Sequence, residues 1–233
     1  MKILFRLSLI ILLLFAWSGV FAQITTSDLD KAYGLDPLLY NGKYYSYFVP
    51  RWTEGTQFLN GPDAVKGFVT KRGVTYDNLL LKYDVYNQQL ILQYKTNTGA
   101  DHLIIISDVW LEKFNLGDVH FEMLAIQDTL RRIYQVMGTG PIRALYSWSK
   151  KLDITNQIGS ENHVFLPSMK ESYLLIDTKL LKYKKNRSFV RLFDPAKQVV
   201  LKKYLRQHKI KVKKASNQVV TELINYCNTL SPK

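Results

Sequence analysis

The sequence predicts a mainly β protein, an antiparallel β-sandwich or partly open barrel, that ends in a helix–strand–helix tail. Three observations lead to this prediction. Residues 40–185 form short apolar and alternating segments that are typical of strands. Turn signals rich in glycine and asparagine divide that region at short intervals, as in antiparallel sheets. The last part of the chain changes to a helical period, so the fold is α+β by element count.

Length and composition limit the classes of protein to consider. The chain has 233 residues, of which 47% are hydrophobic and 22% are charged. Such a composition is typical of a packed globular protein and excludes intrinsic disorder. Cys227 is the only cysteine, so an intramolecular disulfide and a zinc centre built from cysteines are both excluded.

Residues 1–22 have the order of a secretory signal peptide. Lys2 and Arg6 form a basic start, an apolar run follows over residues 9–17, and compact residues end the segment at Ala22. The alternative is an uncleaved membrane anchor, but a run of about nine residues is short for the ~30 Å hydrocarbon core of a bilayer. We expect cleavage after Ala22 and export to the periplasm or the extracellular space, including the periphery of the outer membrane.

Turn signals place the strands of the predicted β body, residues 23–185. Asn41-Gly42 is the strongest short hairpin signal and predicts a hairpin between residues 38–40 and 43–48. Further turn signals occur at residues 71–73, 87–89, 97–99 and 138–141. The sequence therefore predicts a series of hairpins along the body.

Residues 79–85 show the strand period most clearly. The residues predicted to share one face are Leu79, Leu81, Tyr83 and Val85. Lys82 and Asp84 point the other way. Asp84 also lies beside a predicted turn, where aspartate is favoured because it can hydrogen-bond to the backbone.

The basic tail, residues 186–233, is predicted to pack on the same domain. Asp194-Pro195 provides an N-cap and a proline at the first helical position. The apolar side of this first helix is predicted to contain Val200, Leu201, Tyr204 and Leu205. Residues 209–213 alternate lysine with apolar residues and predict a short strand with a lysine-coated outer face. Ser216 is predicted to cap a final helix whose apolar stripe includes Cys227.

No pattern in the sequence predicts a catalytic or metal site. The G-x-S-x-G, Walker, H-E-x-x-H and EF-hand patterns are all absent from the sequence, and its four histidines lack the spacing of metal ligands. Cys227 is predicted to be a small core residue rather than a nucleophile, because it lies on an apolar stripe. These observations predict neither a metal nor a cofactor and favour a non-enzymatic protein.

Seven aromatic residues fall within residues 40–58. Aromatic residues are good strand formers, so cross-strand pairing and core filling are the preferred explanation. The alternative is an exposed platform on which a sugar or a peptide stacks. For that platform the sequence nominates Tyr45 and Trp52.

Positive charge is concentrated towards the C-terminus. The formal net charge is +13, yet residues 23–142 contain 11 basic and 13 acidic residues. Residues 143–233 contain 19 basic and 6 acidic residues, and residues 179–214 contain fourteen basic residues and one acid, Asp194. A charge run often means only a solvated surface, but a dense field of one sign also attracts polyanions.

The predicted anion-binding residues come from this dense region. They are Lys202, Lys203, Arg206, Lys209, Lys211, Lys213 and Lys214. For an exported protein, the expected partner is an anionic envelope component: a lipid or glycolipid phosphate, an acidic polysaccharide or an acidic protein. Nucleic acid is disfavoured, because no nucleic-acid-binding motif occurs. The alternative function is a carrier that holds a lipid or another apolar ligand within the β body.

Two stretches resemble a family of uncharacterised exported envelope proteins of Gram-negative bacteria. The first is Gly67-Phe68-Val69 followed by residues 74–87, where a strand ends in the turn Tyr83-Asp84-Val85-Tyr86. The second is the C-terminal segment from residue 201 to residue 230, in which Cys227 departs from the usual aromatic residue. The resemblance implies a periplasmic or envelope-associated β protein. It implies no known activity and therefore no catalytic residues.

Overall fold

The alternating segments and their turns form a mainly β structure, in which strands hold about twice as many of the described residues as helices do. The computed structural model describes residues 35–46, 49–96, 98–126, 130–157 and 160–230. It confirms the predicted fold class. The predicted signal peptide lies outside the described residues. No helix within the described part of the chain has the length and apolar content needed to cross a bilayer.

Fourteen strands lie within the described residues. They are β1 (Lys43–Tyr44), β2 (Thr53–Glu54), β3 (Val65–Lys71), β4 (Val74–Asp84), β5 (Gln89–Lys95), β6 (Asp101–Ile105), β7 (Leu111–Leu116), β8 (Val119–Leu124), β9 (Arg132–Met137), β10 (Ile142–Ser149), β11 (Leu152–Gln157), β12 (Ser160–Phe165), β13 (Met169–Ile176) and β14 (Lys179–Tyr183). The helices are α1 (Pro37–Tyr40), a 3-10 turn (Asp108–Trp110), α2 (Asn186–Val190), α3 (Pro195–Gln207) and α4 (Asn217–Thr229).

Eleven strands form one antiparallel sheet in the order β1-β6-β5-β4-β3-β7-β8-β9-β10-β13-β14. Two meanders, β3 to β6 and β7 to β10, join where β3 pairs with β7. The edge strands β1 and β14 do not pair with each other among the described residues, so the sheet is not closed into a barrel. A second sheet has the order β11-β12-β2, and β12 pairs with β2 in parallel.

Most predicted turns lie where their residue types place them. Arg72 and Gly73 both have positive φ angles, 48° and 75°, in the tight turn that joins β3 to β4. Gly138 and Gly140, with φ of 82° and 114°, connect β9 to β10. The hairpin predictions at these two turns are confirmed, because both turns join paired antiparallel strands.

The hairpin predicted at Asn41-Gly42 is wrong. The residues before it form the short helix α1, and β1 pairs with β6. Gly42 has no positive φ. A Cβ atom at Gly42 would lie only 2.3 Å from the carbonyl oxygen of Ile105. Close approach to β6, rather than turn geometry, therefore requires glycine at this position.

Asp84 organises the end of β4 from a fully buried position. Its Oδ1 atom accepts hydrogen bonds from the backbone N–H groups of Tyr86 (3.0 Å) and Asn87 (2.8 Å). Its Oδ2 atom accepts from the Tyr45 hydroxyl (2.7 Å) and from Asn87 Nδ2 (2.8 Å). Burial lowers the pKa of Lys150, and the opposite charge of Asp84 partly offsets this effect. The predicted side-chain-to-backbone role of Asp84 is confirmed.

The predicted starts of the two long tail helices are confirmed. Pro195 begins α3 after Asp194, and Ser216 Oγ accepts a hydrogen bond from the backbone N–H of Val219 at the start of α4 (3.4 Å). The helices cover one face of the sheet near β10, and Cys227 lies in the core between them. Cys227 is buried, which confirms that it is a core residue, and burial raises the pKa of its thiol to about 12.

The strand predicted for residues 209–213 is wrong. These residues form a turn between α3 and α4 and do not join either sheet. The period-two pattern has another cause, because Ile210 and Val212 point into the helical core while the lysines between them are exposed. The apolar face predicted for α3 is also narrower than expected, since Val200 is 40% exposed.

Candidate anion-binding groove

A groove of about 450 Å³ lies where α2, the end of α3 and the turn after α3 meet. Its floor is apolar and consists of Val190, Leu205 and Ile210. Five exposed basic residues line its rim: Arg187, Lys202, Arg206, Lys209 and Lys211. Asn186 completes the lining. We call this site the basic groove.

The helical period of α3 separates the floor from the rim. Leu201 and Leu205 lie one turn apart on the buried side of α3. Lys202 and Arg206 are also one turn apart, and both are exposed. Residues at i and i+4 share a helix face, so each pair stays together along the axis. The same helix therefore contributes both an apolar surface and two cationic side chains to the groove.

A left-handed capping motif ends α3 and turns the chain across the groove. The backbone N–H of Ile210 donates to the carbonyl oxygen of Leu205 (2.9 Å), and that of Lys209 donates to Arg206 (3.2 Å). Lys209 occupies the left-handed position of this motif with a φ of 54°. Glycine is the usual residue there. Lys209 is therefore in a strained backbone conformation, and it places a charged side chain at the rim of the groove.

Replacing Lys209 by glycine is expected to raise the free energy of unfolding by about 0.5–1 kcal/mol. Glycine avoids the ~1–2 kcal/mol steric cost of the left-handed conformation, although its freedom in the unfolded chain offsets part of this gain. Lys211→Gly is the matched control, because it removes the same charge at a residue without a positive φ. Urea denaturation should therefore show changes of opposite sign, and equal changes would contradict the strain at Lys209.

Asn186 holds the turn against α2. Its Nδ2 atom donates to the carbonyl oxygen of Ile210 (2.6 Å), and its Oδ1 atom accepts from the backbone N–H of Val212 (2.9 Å). One amide side chain thus pairs with both backbone groups on either side of Lys211. We call this contact the Asn186 clamp. It fixes the wall of the groove that carries Lys209 and Lys211.

The positive charge of the basic groove is not neutralised by any ion pair among the described residues, since no such pair involves any of the five basic rim residues. Asp194, the single acid between residues 179 and 214, lies 3.7 Å from Lys197, which is outside the groove. Concentrated positive charge around a concave surface attracts anions, and guanidinium groups can bind phosphate or carboxylate in a bidentate manner.

Four of the seven basic residues nominated from sequence line the groove. They are Lys202, Arg206, Lys209 and Lys211. Lys203, Lys213 and Lys214 are exposed but are not part of its lining. Sequence reasoning missed Arg187, although this residue belongs to the same basic run. It also missed the apolar floor, because Val190 and Ile210 come from different segments of the chain.

The two nominated aromatic residues have different environments. Tyr45 is half-buried, and its hydroxyl group bonds to Asp84 and accepts a hydrogen bond from Gln57 Nε2 (2.8 Å). The Tyr45 ring lies 6.2 Å from that of Phe58. Trp52 is 81% exposed, and no ring contact joins it to Tyr45 within the described residues. Tyr45 therefore contributes to packing here, and Trp52 presents the open aromatic surface.

A second cavity of about 540 Å³ lies at the β body. Its lining mixes polar side chains, such as Gln88 and Asp108, with apolar ones, such as Leu90 and Ile133. Beside it the apolar interior is filled, since Phe114 and Phe121 are fully buried and stack with ring centroids 4.8 Å apart. No group of three potential metal-ligating side chains occurs in the part of the chain described.

Comparisons with known proteins give no relative from which a function could be inferred. The chain matches no protein-family model, no curated protein and no solved structure.

Proposed function

We propose that this protein is a non-enzymatic exported protein of the cell envelope that binds an anionic partner through the basic groove. The observation that carries this proposal is the convergence of five exposed basic side chains on one cavity. No ion pair among the described residues involves them. The partner would be a lipid or glycolipid phosphate, an acidic polysaccharide or an acidic protein. Export rests on residues 1–22, whose order is that of a signal peptide.

Electrostatics favours the basic groove over the other basic residues of the surface as the anion-binding site. Isolated lysines on a convex surface are well solvated and gain little from a single anion. In the groove, cationic groups from α2, α3 and the following turn surround a common space, so one anion can interact with several of them. Near an anionic surface each Lys or Arg contributes roughly 1 kcal/mol, and salt screens this contribution.

The double variant Lys202→Glu/Arg206→Glu tests the proposal. We expect it to weaken binding of inorganic polyphosphate at least about tenfold in a titration at low salt, because two groove charges are reversed. Lys213→Glu/Lys214→Glu changes the net charge by the same amount outside the groove lining. This control should lose less than about threefold. Thermal unfolding of both variants should show that the fold is intact.

Three results would count against the proposal. Equal weakening by the two double variants would mean that net charge, not the groove, attracts the anion. Wild-type affinity that does not fall between low and high salt would exclude an electrostatic mode. Absence of polyphosphate binding at low salt would contradict the proposal that the groove binds anions.

The alternative proposal is a carrier of a lipid or other apolar ligand within the β body. The observation in its favour is the cavity of about 540 Å³ beside Leu90 and Ile133. It is the weaker proposal, because large side chains such as Phe114 and Phe121 already fill the neighbouring interior.

A further inference from the structure

The floor of the basic groove is apolar, and a simple anion has no apolar part that could contact it. Val190, Leu205 and Ile210 are only 2%, 4% and 9% exposed, and they belong to the same core cluster as the helices. These side chains nevertheless form the base of an open cavity of about 450 Å³. Ligand cavities of this order, ~300–1,000 Å³, bind small molecules when apolar walls and a few polar groups are combined.

The rim residues add to the apolar surface. Lysine and arginine have aliphatic stems that can lie along an apolar wall while the charged group stays in water. Four of the five rim residues are in α3 or the turn that follows it, so their aliphatic stems are attached beside the floor and can line the same cavity. An inorganic phosphate would contact the charged groups alone and would not use the apolar lining of the cavity.

Exposed apolar residues extend this surface beyond the groove. Val199 and Val200 of α3 are 68% and 40% exposed. Val199 lies three residues before Lys202 and four before Lys203, so it shares a helix face with both lysines. An exposed valine beside these lysines gives an alkyl chain further apolar contact while the ammonium groups stay in water.

We propose that the ligand of the basic groove is a phosphate-bearing lipid, whose head group binds the basic rim and whose alkyl chain lies on the apolar floor. This inference rests on the proposed function and narrows it to one ligand class. Charge complementarity selects the anionic head group, and the floor selects the chain. A polysaccharide or a polyphosphate offers the first property without the second.

A series of alkyl phosphates tests the chain separately from the head group. Butyl, hexyl and octyl phosphate, each below its micellar concentration, are titrated by calorimetry into the protein without its predicted signal peptide, residues 23–233. Each methylene group that the floor removes from water should raise the affinity up to about fourfold. Lys202→Glu/Arg206→Glu should weaken every member of the series by a similar factor of at least about tenfold, whereas Lys213→Glu/Lys214→Glu should weaken each by less than about threefold.

The outcomes distinguish this inference from the proposed function. Equal affinities for butyl and octyl phosphate, with polyphosphate still bound through the groove, would overturn the inference and leave the proposed function standing. Octyl glucoside binding as tightly as octyl phosphate would also overturn it, because the phosphate would then contribute nothing. Failure of polyphosphate and of every alkyl phosphate to bind would overturn both.

Discussion

Replacing Gly138 by alanine is expected to lower the free energy of unfolding by about 3 kcal/mol. Gly138 has a φ of 82°, a conformation that costs alanine ~1–2 kcal/mol. The added Cβ atom would also lie 2.3 Å from Cγ2 and 2.8 Å from Cβ of Ile224. Ile224 is fully buried in α4, so relief requires movement of the helix, and such overpacking costs ~1–3 kcal/mol.

Gly73→Ala is the matched control for Gly138→Ala. Gly73 has a similar φ of 75°, but a Cβ atom there would meet nothing within 4 Å. We expect this variant to lose only the backbone contribution of ~1–2 kcal/mol in urea denaturation. Equal losses of unfolding free energy in the two variants would contradict the prediction, because the clash between the added Cβ atom and Ile224 would then cost nothing.

Replacing Asp84 by asparagine is expected to cost about 3 kcal/mol of stability. The amide keeps one oxygen for the backbone N–H groups of Tyr86 and Asn87. Its NH₂ group, however, cannot accept from Tyr45 and from Asn87 Nδ2, which now donate to Asp84. Hydrogen bonds to a charged group contribute ~1.5–3 kcal/mol each, and their loss leaves polar groups buried without partners. Lys150 also loses the carboxylate that offsets its desolvation.

Asp77→Asn in the same strand serves as the control for Asp84→Asn. Asp77 is exposed on β4, so its replacement should change the free energy of unfolding by less than ~0.5 kcal/mol. Chemical denaturation of both variants at neutral pH provides the comparison. A loss below ~1 kcal/mol for Asp84→Asn would contradict the role of this carboxylate in holding the end of β4.

Local signals in the sequence predict the strands, but the pairing between distant strands depends on other information. Alternation places Leu81, Tyr83 and Val85 on one face, and all three are buried. Arg72-Gly73 and residues 138–141 turn the chain as their residue types predict. The pairing of β1 with β6 joins residues about sixty positions apart, and no local pattern specifies it. The Asn41-Gly42 prediction failed for that reason.

The candidate site shows the same division between local and distant information. The basic run identifies Lys202, Arg206, Lys209 and Lys211, because charge density is a property of the sequence itself. The sequence does not predict that these four residues line one groove. The groove depends on Arg187 in α2 and on the turn after α3, and the alternation of residues in that turn is the one expected of a strand. In a strand, successive side chains alternate between two faces of a sheet. Here the same alternation separates the helical core from solvent.

The Asn186 clamp has a consequence for the entropy of binding. Two hydrogen bonds within the protein itself, of 2.6 Å and 2.9 Å, fix the backbone around Lys211. A ligand therefore does not have to immobilise this turn, a process that would otherwise consume ~1–2 kcal/mol for each backbone residue ordered. Preorganisation of this kind leaves more of the contact energy available as affinity. Only the long side chains of the rim remain to be ordered when the groove is filled.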